Sequence, residues 1–167
     1  MLANYRKKGE DQEGYIHSSR IQLIEGFPAF KIISQKDSQL TLKLDTISIT
    51  IKTGVFVKGK RKLRYDSSGL LISIDKKFPW GSDGEVPITQ YKSIHIKVGT
   101  KDYCMPLASY NDLFEATVFQ TIAYMDKVSG KIYLIAFNSD GGGVYNVIWT
   151  ILNGQIINRE VLPDPEA

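Results

Sequence analysis

The feature that most constrains this chain is a change of parity inside one apolar run. Leu40, Leu42 and Leu44 hold alternate positions, and Ile47, Ile49 and Ile51 continue on the opposite parity. Successive side chains of a strand point to opposite faces, so one straight strand would send one of these trios to the core and the other to water. The conflict disappears if Asp45 and Thr46 hold a tight turn or a bulge, which predicts two strands from the one run. The same alternation returns at Ile94, Ile96 and Val98 in SIHIKVG.

Turn chemistry divides the rest of the chain into further short strands. Asp66 to Gly69 supplies the residue types of a four-residue hairpin turn, and Asn153-Gly154 is the pair favoured where both turn residues need positive φ. KKFPWGSDGEVP, with two prolines and two glycines, reads as a long loop bearing Phe78 and Trp80. TVFQTIAYMD, KIYLIAFN, VYNVIWTIL and QIINREVL, separated by KVSG, SDGGG and NG, read as a four-strand antiparallel meander. KIYLIAFN and VYNVIWTIL are apolar on both parities, which predicts central strands covered on both faces. SYNDLFEA offers the one helix start, a short turn near residues 110–116. No internal period appears. The fold class expected is all-β or mostly β: an antiparallel two-layer sandwich or distorted barrel with a C-terminal four-strand meander and at most one short helix.

Residues 1–20 are charged and poor in apolar side chains, which predicts a mobile N-terminal arm, and 21–167 are expected to form a single β-rich domain. The chain has no run of about 18 apolar residues, so no membrane-spanning helix is expected, and no signal-peptide pattern opens it. A soluble protein is expected, of the cytoplasm or, after removal of an upstream signal, of the periplasm. One cysteine, Cys104, excludes an internal disulfide and a thiolate metal cluster. The net charge of +3 is unevenly spread: thirteen Lys and Arg against six Asp and Glu through Arg64, then eight against twelve. A chain this lopsided can present a basic surface, provided the fold keeps its halves apart.

The search for chemistry yields binding candidates and no catalytic set. His17 lies in the arm, and His95 sits on the parity opposite the isoleucines of its strand, away from any metal-ligand spacing. Cys104, in the apolar YCMPL, reads as a buried structural thiol, although a hairpin would bring it beside His95. Lys58, Lys60, Arg61, Lys62 and Arg64 form a basic run suited to an acidic protein surface; without interleaved aromatics, nucleic acid is the weaker reading. Trp80 is a candidate anchor, and Asp140 precedes three glycines that an ordinary hairpin does not need. No catalytic residue, metal ligand or cofactor is assigned. The leading expectation is a non-enzymatic binding protein, of the kind of a bacterial-type inhibitor or immunity protein, whose partner is another protein. The alternative is a small-ligand or glycan-binding β domain using Trp80, Tyr145 and Asp140, and a dispersed enzyme site comes third.

Overall fold

The computed structural model describes residues 2–7, 10–15, 17, 21–59 and 61–163. Strands β1 (Leu2–Lys7) and β2 (Glu10–Tyr15) pair antiparallel within the span expected as an arm. The body of the fold is two antiparallel sheets. The first holds five strands: β3 (Lys31–Lys36), β4 (Gln39–Leu44), β5 (Ile47–Val55), β8 (Thr89–Val98) and β9 (Lys101–Cys104), in that spatial order. The second is the expected meander of β10 (Thr121–Asp126), β11 (Lys131–Asn138), β12 (Tyr145–Leu152) and β13 (Gln155–Pro163). A small hairpin, β6 (Leu63–Tyr65) with β7 (Leu71–Ile74), lies between β5 and β8 in sequence.

The parity change is resolved as a hairpin. Asp45 takes φ +51°, and β4 pairs with β5 from Leu44 opposite Ile47 to Gln39 opposite Lys52. Leu40, Leu42, Ile49 and Ile51 are thereby buried together. A bulge on β8 makes a second parity correction: Ser93 faces Lys52 while Tyr91 faces Thr53, leaving Lys92 as the extra residue. Tyr91 and Ile94, an odd number of positions apart, consequently both reach the core. The four-stranded sheet answers with Leu134, Ala136, Val147, Trp149 and Ile151, so the two sheets form a sandwich around one apolar layer. It is not a closed barrel. One isolated bridge, Ala29 to Tyr124, ties the segment before β3 to the edge of β10.

Two sequence expectations are corrected. Helical geometry among the described residues is confined to single 3-10 turns, and the one nearest 110–116 is Leu107–Ser109. Leu113 and Phe114 are instead extended, bridging Trp80 and Gln90. An extended pair points in opposite directions, and this one needs to: Leu113 enters the main core, whereas Phe114 enters a second cluster with Phe56, Leu71 and Ile74. Secondly, β11 and β12 are central in their sheet, but only their inner face is covered throughout; on the outer face Ile135 is buried, while Ile148 is half-buried and Phe137 exposed.

Asn153 and Gly154 take φ +52° and +78°, the paired positive values expected for this turn between β12 and β13. Gly154 has a further reason to lack a side chain: a Cβ there would lie 2.3 Å from the Tyr103 ring of β9, so the turn of one sheet packs against a strand of the other.

Candidate functional site

The outward positions of the five-stranded sheet follow from the register. Lys31, Lys43, Ser48, Lys97 and Asp102 form one row across five strands. Lys36, Gln39, Lys52 and Ser93 form a second. Between them lie Thr41, Thr50, His95 and Cys104, with the two threonine hydroxyls 3.3 Å apart. All five lysines are exposed, and none has an ion-pair partner among the described residues. Neighbouring strands are about 4.8 Å apart, so Lys43 and Lys97 stand about 10 Å from each other on the same face. Asp102 is the one carboxylate in these rows, and it faces His95 Nδ1 at 3.5 Å.

The sequence pointed to a different basic cluster, and the structure draws one of its members, Arg61, into contacts within the fold. Arg61 is half-buried: it pairs with Asp75 at 2.9 Å, donates from Nη2 to the carbonyl of Asn111 at 2.8 Å, and lies over the rings of Phe56 and Phe114. Those contacts fix the small hairpin to the second core cluster. The side chains of Lys58, Lys62 and Arg64 are exposed, and the backbone N–H of Lys62 donates to Asp75. Lys60 lies outside the described residues.

Trp80 and the glycine turn, far apart in sequence, meet. Trp80 is half-buried, its backbone N–H donating to Asp112 and its carbonyl accepting from Phe114, with Phe78 edge-on at 4.9 Å. The turn Gly141–Gly143 packs against the loop that follows Trp80. A Cβ on Gly142 would lie 2.7 Å from Asp83 Oδ1, and one on Gly143 would lie 3.0 Å from the carbonyl oxygen of Gly81. Only Gly141 of the three needs positive φ; the other two are glycines because another loop sits on them. A cleft of about 250 Å³ lies at this junction.

Tyr145 does not line it. The ring is fully buried and its hydroxyl donates to the carbonyl of Phe114 at 2.8 Å, so this ligand candidate is a core residue. Burial pushes its phenol well above the ordinary tyrosine range. Tyr145 begins a strand whose inner face is set by Val147, Trp149 and Ile151, and the parity alone could have placed it inward. Asp140 is exposed on the other side of the turn, in a broader cleft of about 470 Å³ with Glu115 and Phe119.

Cys104 is exposed, not buried, because β9 is an edge strand and Met105 takes the inward position. It faces His95 across the hairpin as expected, but its sulfur donates to the carbonyl of Met105 at 3.6 Å and makes no hydrogen bond to the imidazole. Among the described residues, no group of three or more His, Cys, Asp and Glu is disposed to hold a metal ion. No helix there is long and apolar enough to cross a membrane.

Sequence reasoning passed over Asn138. Its buried Oδ1 accepts from the Tyr91 hydroxyl at 2.9 Å and from the backbone of Thr117 at 3.1 Å, joining the two sheets through polar contacts. Comparison with protein-family models, with curated proteins and with solved structures finds no match for this chain.

Proposed function

We propose that this chain is a non-enzymatic binding protein that docks an acidic protein surface on the outer face of its five-stranded sheet. The observation that carries the reading is the placement of Lys31, Lys36, Lys43, Lys52 and Lys97 on one face without carboxylate partners among the described residues. Edge protection accounts for lysines on β3, since charge there discourages pairing with another chain's strand. It does not account for Lys43, Lys52 and Lys97, which lie on inner strands. Lys31 stands directly opposite Lys43, a like-charge pair that costs the fold roughly 0.2–1 kcal/mol. A partner that neutralises these charges gives them a use that folding does not.

Protein is favoured over nucleic acid as the partner because the rows hold hydroxyls and an amide between the lysines, with no aromatic ring on which a base could stack. An inhibitor or immunity protein blocking a bacterial-type toxin is the form of this reading in which a rigid sheet and a charge-matched patch suffice, because complementary charge steers association and excludes wrong partners.

The test uses the intact protein and a double variant, Lys43→Glu/Lys97→Glu, as bait in host extract. The intact protein is expected to retain a protein that is released as salt rises and that the variant does not retain. Retention of the same protein by a folded variant, or retention of nothing but nucleic acid, glycans or small molecules, sinks the proposal.

A further inference from the structure

We infer that the cleft between the Trp80 loop and the glycine turn is a second, separate site, which takes a small organic cation: an ammonium group on a compact apolar body. Its walls are Phe78, Trp80 and Pro79 on one side and Gly142, Gly143 and Val144 on the other, with Asp83 at the junction. The exposed Phe78 ring meets Trp80 edge-on at 4.9 Å, which leaves aromatic faces open to a ligand. Cations are drawn to such faces by the ring quadrupole.

The polar inventory decides the ligand class. Asp83 is exposed and has no ion-pair partner among the described residues, and no basic side chain lines the cleft. An anion would therefore meet an uncompensated carboxylate. A sugar would need several side-chain donors and acceptors, yet apart from Asp83 the lining side chains offer one hydroxyl, on Ser82, which is buried, and the indole N–H of Trp80. A compact ammonium ion fits both the carboxylate and the carbon-rich walls. At about 250 Å³ the cleft is below the usual volume of sites for drug-sized ligands, which points to a small one.

The backbone that carries this carboxylate is constrained. Asp83 takes φ +42° between Gly81 at +91° and Gly84 at +77°, a conformation a non-glycine residue adopts at some energetic cost. Gly142 lies so close to its Oδ1 that no larger residue fits without displacing it. The glycines beyond what a hairpin requires thus leave room for the carboxylate at the mouth of an aromatic cleft.

Tryptophan fluorescence reads this site directly, because Trp149 is fully buried and only Trp80 can meet a ligand from solvent. The probes are choline and 3,3-dimethylbutan-1-ol, which has nearly the same shape without the charge. Choline is expected to give a saturable change, with the neutral alcohol weaker by about tenfold, the combined scale of a cation–π contact and an exposed charge pair. Asp83→Asn, which tolerates the same backbone, is expected to weaken choline by about threefold, the scale of one exposed charge pair. Phe78→Ala is expected to weaken it by about threefold, and its exposure makes unfolding no explanation. Equal binding of the alcohol, an unchanged affinity in a folded Asp83→Asn protein, or no saturable change with choline overturns the inference. Lys43→Glu/Lys97→Glu is expected to leave choline binding intact, which separates this site from the lysine face.

Discussion

The two sheets share one core and differ on their outer faces. On β4, β5 and, beyond its bulge at Lys92, β8 the alternation is strict, and the outward residues are lysine, threonine, serine, glutamine and histidine. On β10, β11 and β12 the outward row Ile122, Ile135 and Ile148 is aliphatic, with Phe137 beside it. Part of that face is covered, since Phe27 stacks on Tyr133 at 5.8 Å. Inward burial is alike in the two sheets, so stability is drawn from both. Outward chemistry is not alike, so the faces can serve different ends, and substitutions on one strand should separate burial from surface.

Trp149 and Ile148 are adjacent on β12 and point to opposite faces. Trp149→Ala is expected to cost about 3–5 kcal/mol, because it opens a cavity in the core and leaves the carbonyl of Ser109 without the indole N–H that donates to it at 2.9 Å. Ile148→Thr keeps the branched shape and is expected to cost about 1 kcal/mol. Urea unfolding of both variants measures the difference. Equal losses would mean that the outer face is as covered as the inner one.

Gly154→Ala tests the join between the sheets. The left-handed backbone alone disfavours alanine by roughly 1–2 kcal/mol. Contact with the Tyr103 ring adds about 1–3 kcal/mol of overpacking. In Tyr103→Ala protein the second contribution should vanish, so a double-mutant cycle is expected to show coupling. Independent losses would mean that the turn and β9 do not touch in solution.

Alkaline pH probes the core from both sheets at once. Tyr91 on β8 and Tyr145 on β12 are both buried, and burial raises both phenols above the ordinary value near 10. The stability tied to their neutral forms is complete below pH 10, where the unfolded tyrosines are still protonated. It falls above pH 10, as the unfolded chain loses protons that the folded one keeps, by up to about 1.4 kcal/mol per pH unit for each group. Tyr91→Phe should flatten the decline in stability measured by urea unfolding between pH 9 and 11. An unchanged slope would show that Tyr91 ionises as freely in the fold as in the unfolded chain.

Legibility in the sequence followed the strictness of the pattern. The hairpin at Asp45, the Asn153-Gly154 turn and the meander were readable because parity and turn chemistry are local. The lysine face was half readable: Lys43, Lys52, Lys97 and His95 all occupy the parity opposite their strand's apolar residues, and the excess of basic residues before Arg64 was visible. The run at 58–64 is the more conspicuous in the sequence, but closeness in sequence is not closeness in space, and Arg61 is a structural contact. Long-range meetings were not readable at all. Nothing local says that Gly142 sits on Asp83, or that Arg159 on β13 reaches Asp112 at 3.1 Å. Covering of both faces was inferred for β11 and β12 from composition, but an apolar outer face can also stand partly open, and here it does.

The smallest expected effect is the most telling for the comparison. Lys43→Ser/Lys97→Ser removes two exposed charges that no described residue pairs with, and the change in stability should stay within about 0.5 kcal/mol. Relief of the Lys31–Lys43 repulsion makes a slight gain the expected sign, and because the repulsion is screened, the gain should shrink as salt rises from low concentration. Thermal unfolding at low and high salt measures both. A large loss would mean that these lysines stabilise the sheet itself, which would remove the argument that their placement answers to a partner. A neutral or stabilising outcome, beside the loss at Trp149, would leave the five-stranded sheet with a surface that the fold does not require.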